Sequence, residues 1–221
     1  MKKSSSSTRV KICGIRDKAH ALAAVEAGAD FIGLVFAPSK RRVSPGKAYK
    51  IASAVKKSSN DTKVVGVFVN APSSKVNELA DFCALDWVQL SGDESWEYCQ
   101  ELKKAIIKVI HVSSGQKTDE ILADIETGYQ LLPEKELICL LDSRVGGAYG
   151  GTGQIFNWQL AREVSVRFPV MIAGGLTAAN VGQLVKEVKP WGVDVSTGVE
   201  SNGLKDASKI RAFVKAVRST Q

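Results

Sequence analysis

The chain alternates between short strand-like runs and longer segments with helical spacing, and this alternation constrains the fold more than any other feature. Runs rich in β-branched and other apolar residues recur eight times, at 10–13, 31–36, 63–69, 87–90, 106–112, 137–142, 170–173 and 193–196. Segments with helical spacing follow them, at 17–27, 45–57, 73–82, 94–104, 117–127, 155–165, 177–188 and 206–218. Strands that alternate with helices pair in parallel, so the pattern predicts an α/β fold.

Residues at the segment boundaries support these helices. Ser44 precedes Pro45, which places a favourable N-cap before a proline at the first helical position. Gly28 follows the first helical segment, where a glycine in the left-handed conformation commonly ends a helix. The helical segments therefore begin and end at residues whose chemistry suits helix termini.

Two α/β architectures share this alternation. An open doubly wound sheet that binds dinucleotides would have a GxGxxG turn after the first strand, whereas this turn reads CGIR at 13–16. Eight βα units with continuous apolar strands instead favour a closed (β/α)8 TIM barrel. We expect residues 1–8 to form a flexible leader and residues 9–221 to form a single barrel domain with the catalytic function.

The basic composition narrows the class of ligand. The net charge of +7 and the pI near 9.2 suit either nucleic acid or an anionic small molecule. The lysines and arginines are scattered along the chain, and no basic stripe is interleaved with aromatic residues as in proteins that bind single strands. We therefore expect a small anionic ligand and no nucleic-acid partner.

The sequence carries no sign of secretion, a membrane span or a metal site. The lysines in the opening MKKSSSST are not followed by an apolar segment, and no apolar run approaches the roughly 18 residues of a membrane span. The four cysteines form no CxxC pair, and only two histidines are present to complete a metal site. We expect a cytoplasmic protein with free thiols and no metal or membrane partner. Its oligomeric state is open, with a monomer as the working expectation.

In a TIM barrel the working residues lie at the C-terminal ends of the strands, so the residues that end each run are the candidates. Cys13 ends the first run, and Lys11 lies on the same face one layer below, where its ammonium would favour a thiolate. Asp142 ends an apolar run at 137–142, where desolvation would raise its pKa and suit it to donate a proton. The alternatives are an inert buried cysteine and a turn aspartate. We expect the thiol and the carboxyl to face each other across the mouth.

Small residues follow the seventh and eighth strands, where TIM barrels commonly bind phosphate. They offer free amides, close backbone approach and a short helix N-terminus. The glycine-rich segment after Asp142 is a candidate mobile cover whose end adds further amides, although such loops are usually only flexible surface. The predicted phosphate-binding residues are Gly153, Gly174, Gly175, Ser196, Thr197 and Gly198.

Two further positions are candidate substrate contacts. Arg41 or Arg42, on the loop after the second strand, would pair a guanidinium with a carboxylate of the ligand. Asp194 shares a face with Ser196 in the eighth strand and is expected to hold a sugar hydroxyl. The alternative for Asp194 is a structural hydrogen bond at the barrel rim.

Several segments, in their order and strand positions, carry a resemblance to a known family. They are KICGI (11–15), GADFIGLVF (28–36), SKRRVSP (39–45), VGVFVN (65–70), VQLSG (88–92), LLDS (140–143), GGTG (150–153), AGGL (173–176) and VDVSTGVES (193–201). Over nearly the whole chain the sequence resembles the phosphoribosylanthranilate isomerase family of tryptophan biosynthesis. A closed barrel is the fold that this resemblance implies.

The resemblance also implies a reaction and the residues for it. The reaction is the Amadori rearrangement of N-(5-phosphoribosyl)anthranilate, a phosphorylated small molecule, to 1-(2-carboxyphenylamino)-1-deoxyribulose 5-phosphate. The resemblance implies that this reaction needs no metal or organic cofactor. Asp142 matches the family's general acid and Cys13 its general base. Gln89 is carried over as a substrate contact, whereas Ser91 stands where the family often has histidine, so its role as a contact is open.

Other barrel functions are the rivals to this interpretation. Indole-glycerol-phosphate synthase and histidine-pathway isomerases share the phosphate turns, but they rely on lysine and glutamate or on paired aspartates. A basic barrel that binds nucleic acid without catalysis would show affinity that falls steeply with salt and no turnover.

Overall fold

We describe the protein from a computed structural model that places residues 7–59, 61–113, 115–143 and 158–220. Within these ranges, eight parallel strands close into a barrel in chain order, which confirms the predicted fold class. The strands are β1 Arg9–Cys13, β2 Phe31–Val35, β3 Lys63–Phe68, β4 Trp87–Leu90, β5 Ala105–Val112, β6 Leu137–Ser143, β7 Val170–Ile172 and β8 Gly192–Val195. Each lies within one residue of its predicted bounds at either end.

A helix follows each strand. The helices are α1 Lys18–Glu26, α2 Pro45–Ser58, α3 Ser73–Phe82, α4 Trp96–Gln100, α5 Thr118–Leu131, α6 Trp158–Arg167, α7 Val181–Val188 and α8 Ala207–Arg218. Pro45 is the first residue of α2, and Gly28 after α1 has a φ of 87°, as the boundary signals predicted. Among the described residues, no helix is both long and apolar enough to cross a membrane.

Two helices, α4 and α7, are at least four residues shorter than predicted. Before α7, residues 178–180 form a turn, and the Asn180 carboxamide oxygen accepts a hydrogen bond from the Thr177 amide at its start. After α4, the Asn77 carboxamide donates to the Glu101 carbonyl and accepts from the Lys103 amide. At the end of α4, the Asn77 bonds take the place of helical hydrogen bonds that the Glu101 carbonyl and the Lys103 amide would make in a longer helix.

Apolar side chains fill two regions. One lies between the strands and the surrounding helices, and the other lies inside the barrel. The inner group, which we call the barrel cluster, consists of Phe31, Val65, Trp87, Ile107, Val109, Ile138, Leu140, Met171 and Ala173. Because side chains two residues apart share a face of a strand, Gln89 and Asp142 lie on the inner face beyond Trp87 and Leu140.

A short hairpin between β8 and α8 was not predicted. Its strands are β9 Glu200–Ser201 and β10 Leu204–Lys205, and they pair antiparallel. The two connecting residues, Asn202 and Gly203, have φ values of 52° and 75°. Positive φ at both positions is what a two-residue type I′ turn requires, and Asn-Gly is the strongest sequence signal for it.

The predicted leader lies mostly outside the described residues. Its last residue, Thr8, is buried, and the Thr8 carbonyl accepts a hydrogen bond of 2.7 Å from Arg218 Nη1. The Thr8 hydroxyl also donates to the Pro190 carbonyl. The chain is therefore tied to the barrel from Thr8 onward, and a flexible segment before it stays a prediction.

Candidate active site

Cys13 lies at the C-terminal end of β1, buried at the inner rim of the barrel. Its side chain packs with Val35 and Val67, and the neighbouring strand places Gly33 directly beside it. A Cβ atom at Gly33 would lie 2.9 Å from Cys13 Sγ and 3.3 Å from Lys11 Nζ. The absence of a side chain at Gly33 therefore makes room for the thiol and the ammonium together.

Lys11 and Asp194 form a buried ion pair below the thiol. Lys11 is fully buried, and its Nζ lies 2.9 Å from Asp194 Oδ1. Burial by itself lowers the pKa of Lys11, but the charges of Asp194 and Cys13 and hydrogen bonds to both raise it above its ordinary value. The ammonium is thus held in its charged form next to Cys13.

The thiol of Cys13 is less acidic than an ordinary cysteine. Burial raises its pKa, the ammonium of Lys11 lowers it, the carboxylate of Asp194 raises it, and the net pKa lies above the usual value. Lys11 acts in the expected direction, but desolvation outweighs it. The group is mostly thiol near neutral pH, and the thiolate that does form is a correspondingly stronger base.

A second buried charge cluster lies beside the mouth and consists of Arg41, Glu200 and Lys205. Arg41 Nε and Nη2 donate to the two carboxylate oxygens of Glu200 at 2.7 and 3.0 Å. Lys205 Nζ donates to Glu200 Oε1 at 2.8 Å. Burial alone would raise the pKa of Glu200, but hydrogen bonds from both cations and their charges lower it to about 2. Of the two predicted arginines, Arg42 is exposed and Arg41 is partly buried in this cluster.

The rim at β4 and β5 is polar. Gln89 is 5% exposed, its Nε2 donates to Ser91 Oγ at 3.0 Å, and its Oε1 accepts no hydrogen bond from any described residue. His111 Nε2 donates to the Ser91 carbonyl at 3.1 Å. A buried acceptor without a donor costs about 1–3 kcal/mol, so Gln89 Oε1 suits a donor supplied by a ligand.

Asp142 follows the apolar run of β6 and lies at the rim, partly buried. It pairs in register with His111 of β5 and shares its strand face with Ile138 and Leu140 of the barrel cluster. This alternation directs the carboxyl to the inside of the mouth. The predicted residue Gly153 lies outside the described residues, as does the whole segment 144–157 that follows Ser143.

The turns after β7 and β8 lie against each other. Gly174 and Gly175 have φ values of 92° and 62°, so both adopt the left-handed region that favours glycine. A Cβ atom at Gly198 would overlap the carbonyl oxygen of Leu176, so only glycine allows the two turns to approach this closely. Ser196 precedes a 3₁₀ turn at Thr197–Val199. The predicted phosphate residues in the described part of the chain are therefore neighbours.

Comparison with known proteins identifies the family. A sequence model of the family described as N-(5′-phosphoribosyl)anthranilate (PRA) isomerase matches residues 10–216. The chain belongs to the PRA isomerase family. It is therefore an isomerase of tryptophan biosynthesis, as the sequence resemblance implied.

Individual PRA isomerases match over nearly their full length. The enzyme from Dehalococcoides mccartyi is 45% identical over 210 residues, which is 95% of each chain. A crystal structure of the Thermotoga maritima enzyme is 36% identical, with a TM-score of 0.80 and coverage of 96% of this chain and 99% of that one. Another PRA isomerase structure, 35% identical with a TM-score of 0.77 and the same coverage, is a complex with reduced 1-(o-carboxyphenylamino)-1-deoxyribulose 5-phosphate.

Four residues at the candidate site were not predicted from the sequence. Gly33 carried no signal, because only the fold brings it against Cys13. Glu200 and Lys205 are cross-strand partners in the hairpin, and the Asn-Gly pair between them was a usable signal. His111 was detectable as a polar residue that continues the alternation of an apolar strand.

Proposed function

We propose that the protein isomerises PRA to 1-(2-carboxyphenylamino)-1-deoxyribulose 5-phosphate, with Asp142 as general acid and Cys13 as general base. The observation that carries this proposal is the placement of both groups on the inner face, at the C-terminal ends of β6 and β1. Membership of the family indicates the substrate, and Asp142 and Cys13 at the rim are the proposed proton donor and proton acceptor.

The proposed first step opens the sugar ring. The Asp142 carboxyl donates its proton to the furanose ring oxygen, and the bond between that oxygen and C1′ breaks. The lone pair of the anthranilate nitrogen forms a double bond to C1′, which gives a protonated imine. The protonated carboxyl of Asp142, beside the apolar residues of β6, is the form that this step requires.

The proposed second step removes a proton from carbon. The thiolate of Cys13 takes the C2′ proton, and the electrons of that bond neutralise the iminium to give an enolamine. The enolamine then loses its hydroxyl proton and gains one at C1′, which gives the ketone. A thiol pKa above its usual value makes the thiolate strong enough to attack a carbon acid, at the cost of a smaller reactive fraction.

The remaining predicted residues bind the substrate in this proposal. Arg41 receives the anthranilate carboxylate, Gln89 Oε1 accepts a hydrogen bond from the substrate, and Asp194, through the oxygen not paired with Lys11, accepts one from a sugar hydroxyl. The phosphate lies on the turns after β7 and β8, and the residues proposed for it are Gly153, Gly174, Gly175, Ser196, Thr197 and Gly198.

The other expectations stay predictions that accompany this function. The proposed steps are proton transfers, so we expect no metal or organic cofactor to be needed. A cytoplasmic location, a domain that spans residues 9–221 and the absence of nucleic-acid and membrane partners are likewise expected. A structure of the Thermotoga maritima relative is described as monomers of a dimeric enzyme, so a monomer for this chain is open to a test by light scattering.

The direct test mixes the purified protein with freshly generated PRA and follows the loss of anthranilate-type fluorescence, with a chelator present. We expect turnover that the chelator does not reduce. A protein that leaves the fluorescence unchanged while it binds nucleic acid in a salt-dependent manner would support the rival barrel function instead.

The phosphate site has its own test. Gly175→Ala places a side chain at a positive φ in the β7 turn and is expected to raise KM for PRA several-fold. Gly28→Ala is the matched control, because Gly28 also has a positive φ, has no heavy atom within 4 Å of a built Cβ and lies after α1. Both variants share the backbone strain of roughly 1 kcal/mol. An equal KM in the two variants would show that the phosphate of PRA does not bind at the turn after β7.

A further inference from the structure

The cluster of Arg41, Glu200 and Lys205 has a geometry that neither proton transfer uses. We propose that Glu200 and Lys205 are positioning residues that hold Arg41 with one edge of its guanidinium directed at the substrate's carboxylate. This inference rests on the proposed function and adds the two residues that set its specificity for a carboxylated ring.

Glu200 occupies only one edge of the guanidinium. The hydrogen bonds to Glu200 come from Nε and Nη2, which form the side edge of the group. Nη1 donates to no acceptor in the described part of the chain, so the end edge formed by Nη1 and Nη2 is open to a second carboxylate. A guanidinium can pair with two carboxylates in this manner because each edge presents two parallel N–H donors.

Arg41 lies over the turn that follows β1. A Cβ atom at Gly14 would lie 2.5 Å from Arg41 Cδ and 3.3 Å from Ser196 Oγ, so the arginine packs between the ends of β1 and β8. The charge of Cys13 is among the causes that raise the pKa of Arg41, which places the guanidinium within electrostatic reach of the proposed base. The side chain of Arg41 therefore lies beside the mouth, at the C-terminal ends of β1 and β8.

Lys205 preserves the positive charge of the cluster. Its side chain is 3% exposed, and Nζ donates to Glu200 Oε1, to the Ser196 carbonyl and, at 3.4 Å, to Ser196 Oγ. These bonds use its three donors, which leaves none for a ligand. Two cations and one anion leave a net charge of +1, whereas Arg41 and Glu200 alone would be neutral and would attract a second carboxylate only weakly.

The hairpin makes this arrangement rigid. Glu200 and Lys205 are opposite each other across β9 and β10, and Lys209 Nζ of α8 donates to the Glu200 carbonyl at 2.7 Å. Asp206 accepts from the Ser201 hydroxyl, and its amide donates to the Val199 carbonyl. Glu200 is thus fixed by bonds on both sides of the hairpin, as a group that aims another side chain must be.

The experiment compares two stable ligands by calorimetry. One is the reduced product found in the related structure, and the other is the same molecule without its carboxyl group. Wild-type protein is expected to bind the carboxylated ligand roughly 10–10²-fold more tightly, the range of a charge-assisted bidentate pair. Glu200→Gln is expected to abolish that preference by raising the Kd of the carboxylated ligand alone. This outcome is specific, because removal of a negative charge would by itself strengthen anion binding.

Lys205→Met is the second variant, and Lys205→Arg is its conservative partner. The methionine variant is expected to lose the same preference because Glu200 then cancels the charge of Arg41, and the arginine variant is expected to keep most of it. Glu78→Gln, at an exposed helix position in α3, is the matched control and should bind both ligands like wild type.

Equal weakening of both ligands in Glu200→Gln would show a merely structural role and overturn the proposal. An unchanged or tighter Kd for the carboxylated ligand would overturn it as well. Failure of wild-type protein to bind either ligand would instead contradict the proposed function, so the two failures are distinguishable.

Discussion

On β4 and β6 the barrel cluster and the mouth lie only two residues apart on one strand face, yet the two regions are built from opposite kinds of side chain. The cluster is apolar and buried, and its burial stabilises the fold at roughly 25 cal/mol per Å². The mouth holds Lys11, Asp194, Glu200 and Lys205, buried charges that would destabilise the protein if they were unpaired. Each of these charges has an ion-pair partner.

Stability and chemistry are thus carried by different positions on one strand. Leu140 and Asp142 of β6 show it most simply, because they share a face and differ by one step of the alternation. Substitution at the first should affect folding, and substitution at the second should affect turnover. Variants at each kind of position can test that separation.

The largest effect is expected for Asp142→Asn. The amide keeps the shape of the carboxyl but has no acidic proton to donate, so kcat should fall by roughly 10²–10⁴-fold. The melting temperature and the affinity for the reduced product should stay close to wild type. Turnover within a few-fold of wild type would remove Asp142 from the mechanism.

Leu140→Ala is the converse substitution in the barrel cluster. Leu140 is 1% exposed, and its truncation leaves a cavity, so the free energy of unfolding should fall by about 2–5 kcal/mol. Below the unfolding transition, kcat should change little. Urea unfolding and turnover at 25 °C measure the two quantities. A loss of kcat as large as that of Asp142→Asn would show that the two regions are not separable.

Gly33→Ala tests the contact between the two strands at the mouth. The new methyl group would meet Cys13 Sγ and Lys11 Nζ, and a displacement of the base by a fraction of an ångström should lower kcat by roughly 10–10²-fold. The control is Gly46→Ala in α2, where a Cβ atom would meet no heavy atom within 4 Å. Equal kcat in the two variants would mean that the position of the thiol is not critical.

The smallest effect concerns the pH profile. Asp142 and Cys13 react when the pair holds one proton in total, with that proton on Asp142 and Cys13 as a thiolate. The pair loses this last proton when the pH rises above the pKa of Cys13, and the reacting form is then lost. Because burial raises that pKa, kcat/KM should fall on the alkaline side only above the usual thiol value of about 8.5. In Asp142→Asn the residual rate should instead rise with pH through this range. If kcat/KM of the wild-type protein already declined between neutral pH and pH 8, the raised pKa of Cys13 would be contradicted.

Much of the fold follows from the sequence because local pattern and tertiary structure agree. The eight strands are apolar runs bounded by turn residues, and β4 begins and ends at the predicted residues. The length of α4 could not be predicted, since it depends on the Asn77 side chain of a neighbouring helix. Periodicity describes one segment at a time and does not report such contacts.

The candidate site likewise has some features that the sequence predicts and others that depend on tertiary contacts. Cys13 and Asp142 were predictable because strand ends have a known place in a barrel. The pair of Arg41 and Glu200 was not, because 159 residues separate them and nothing in either segment specifies the other. The direction of the Cys13 pKa shift also could not be predicted from the sequence, since it depends on whether the effect of burial or that of the nearby ammonium is larger.

In the proposed reaction, the thiolate of Cys13 removes the C2′ proton of a substrate held at the mouth. The most direct test is the turnover of PRA by Cys13→Ser at saturating substrate, with calorimetric binding of the reduced product as the check on folding. We expect an affinity close to wild type and a kcat lowered by at least about 100-fold, because a serine hydroxyl is far less acidic than a thiol. A kcat near that of wild type with intact binding would contradict the claim.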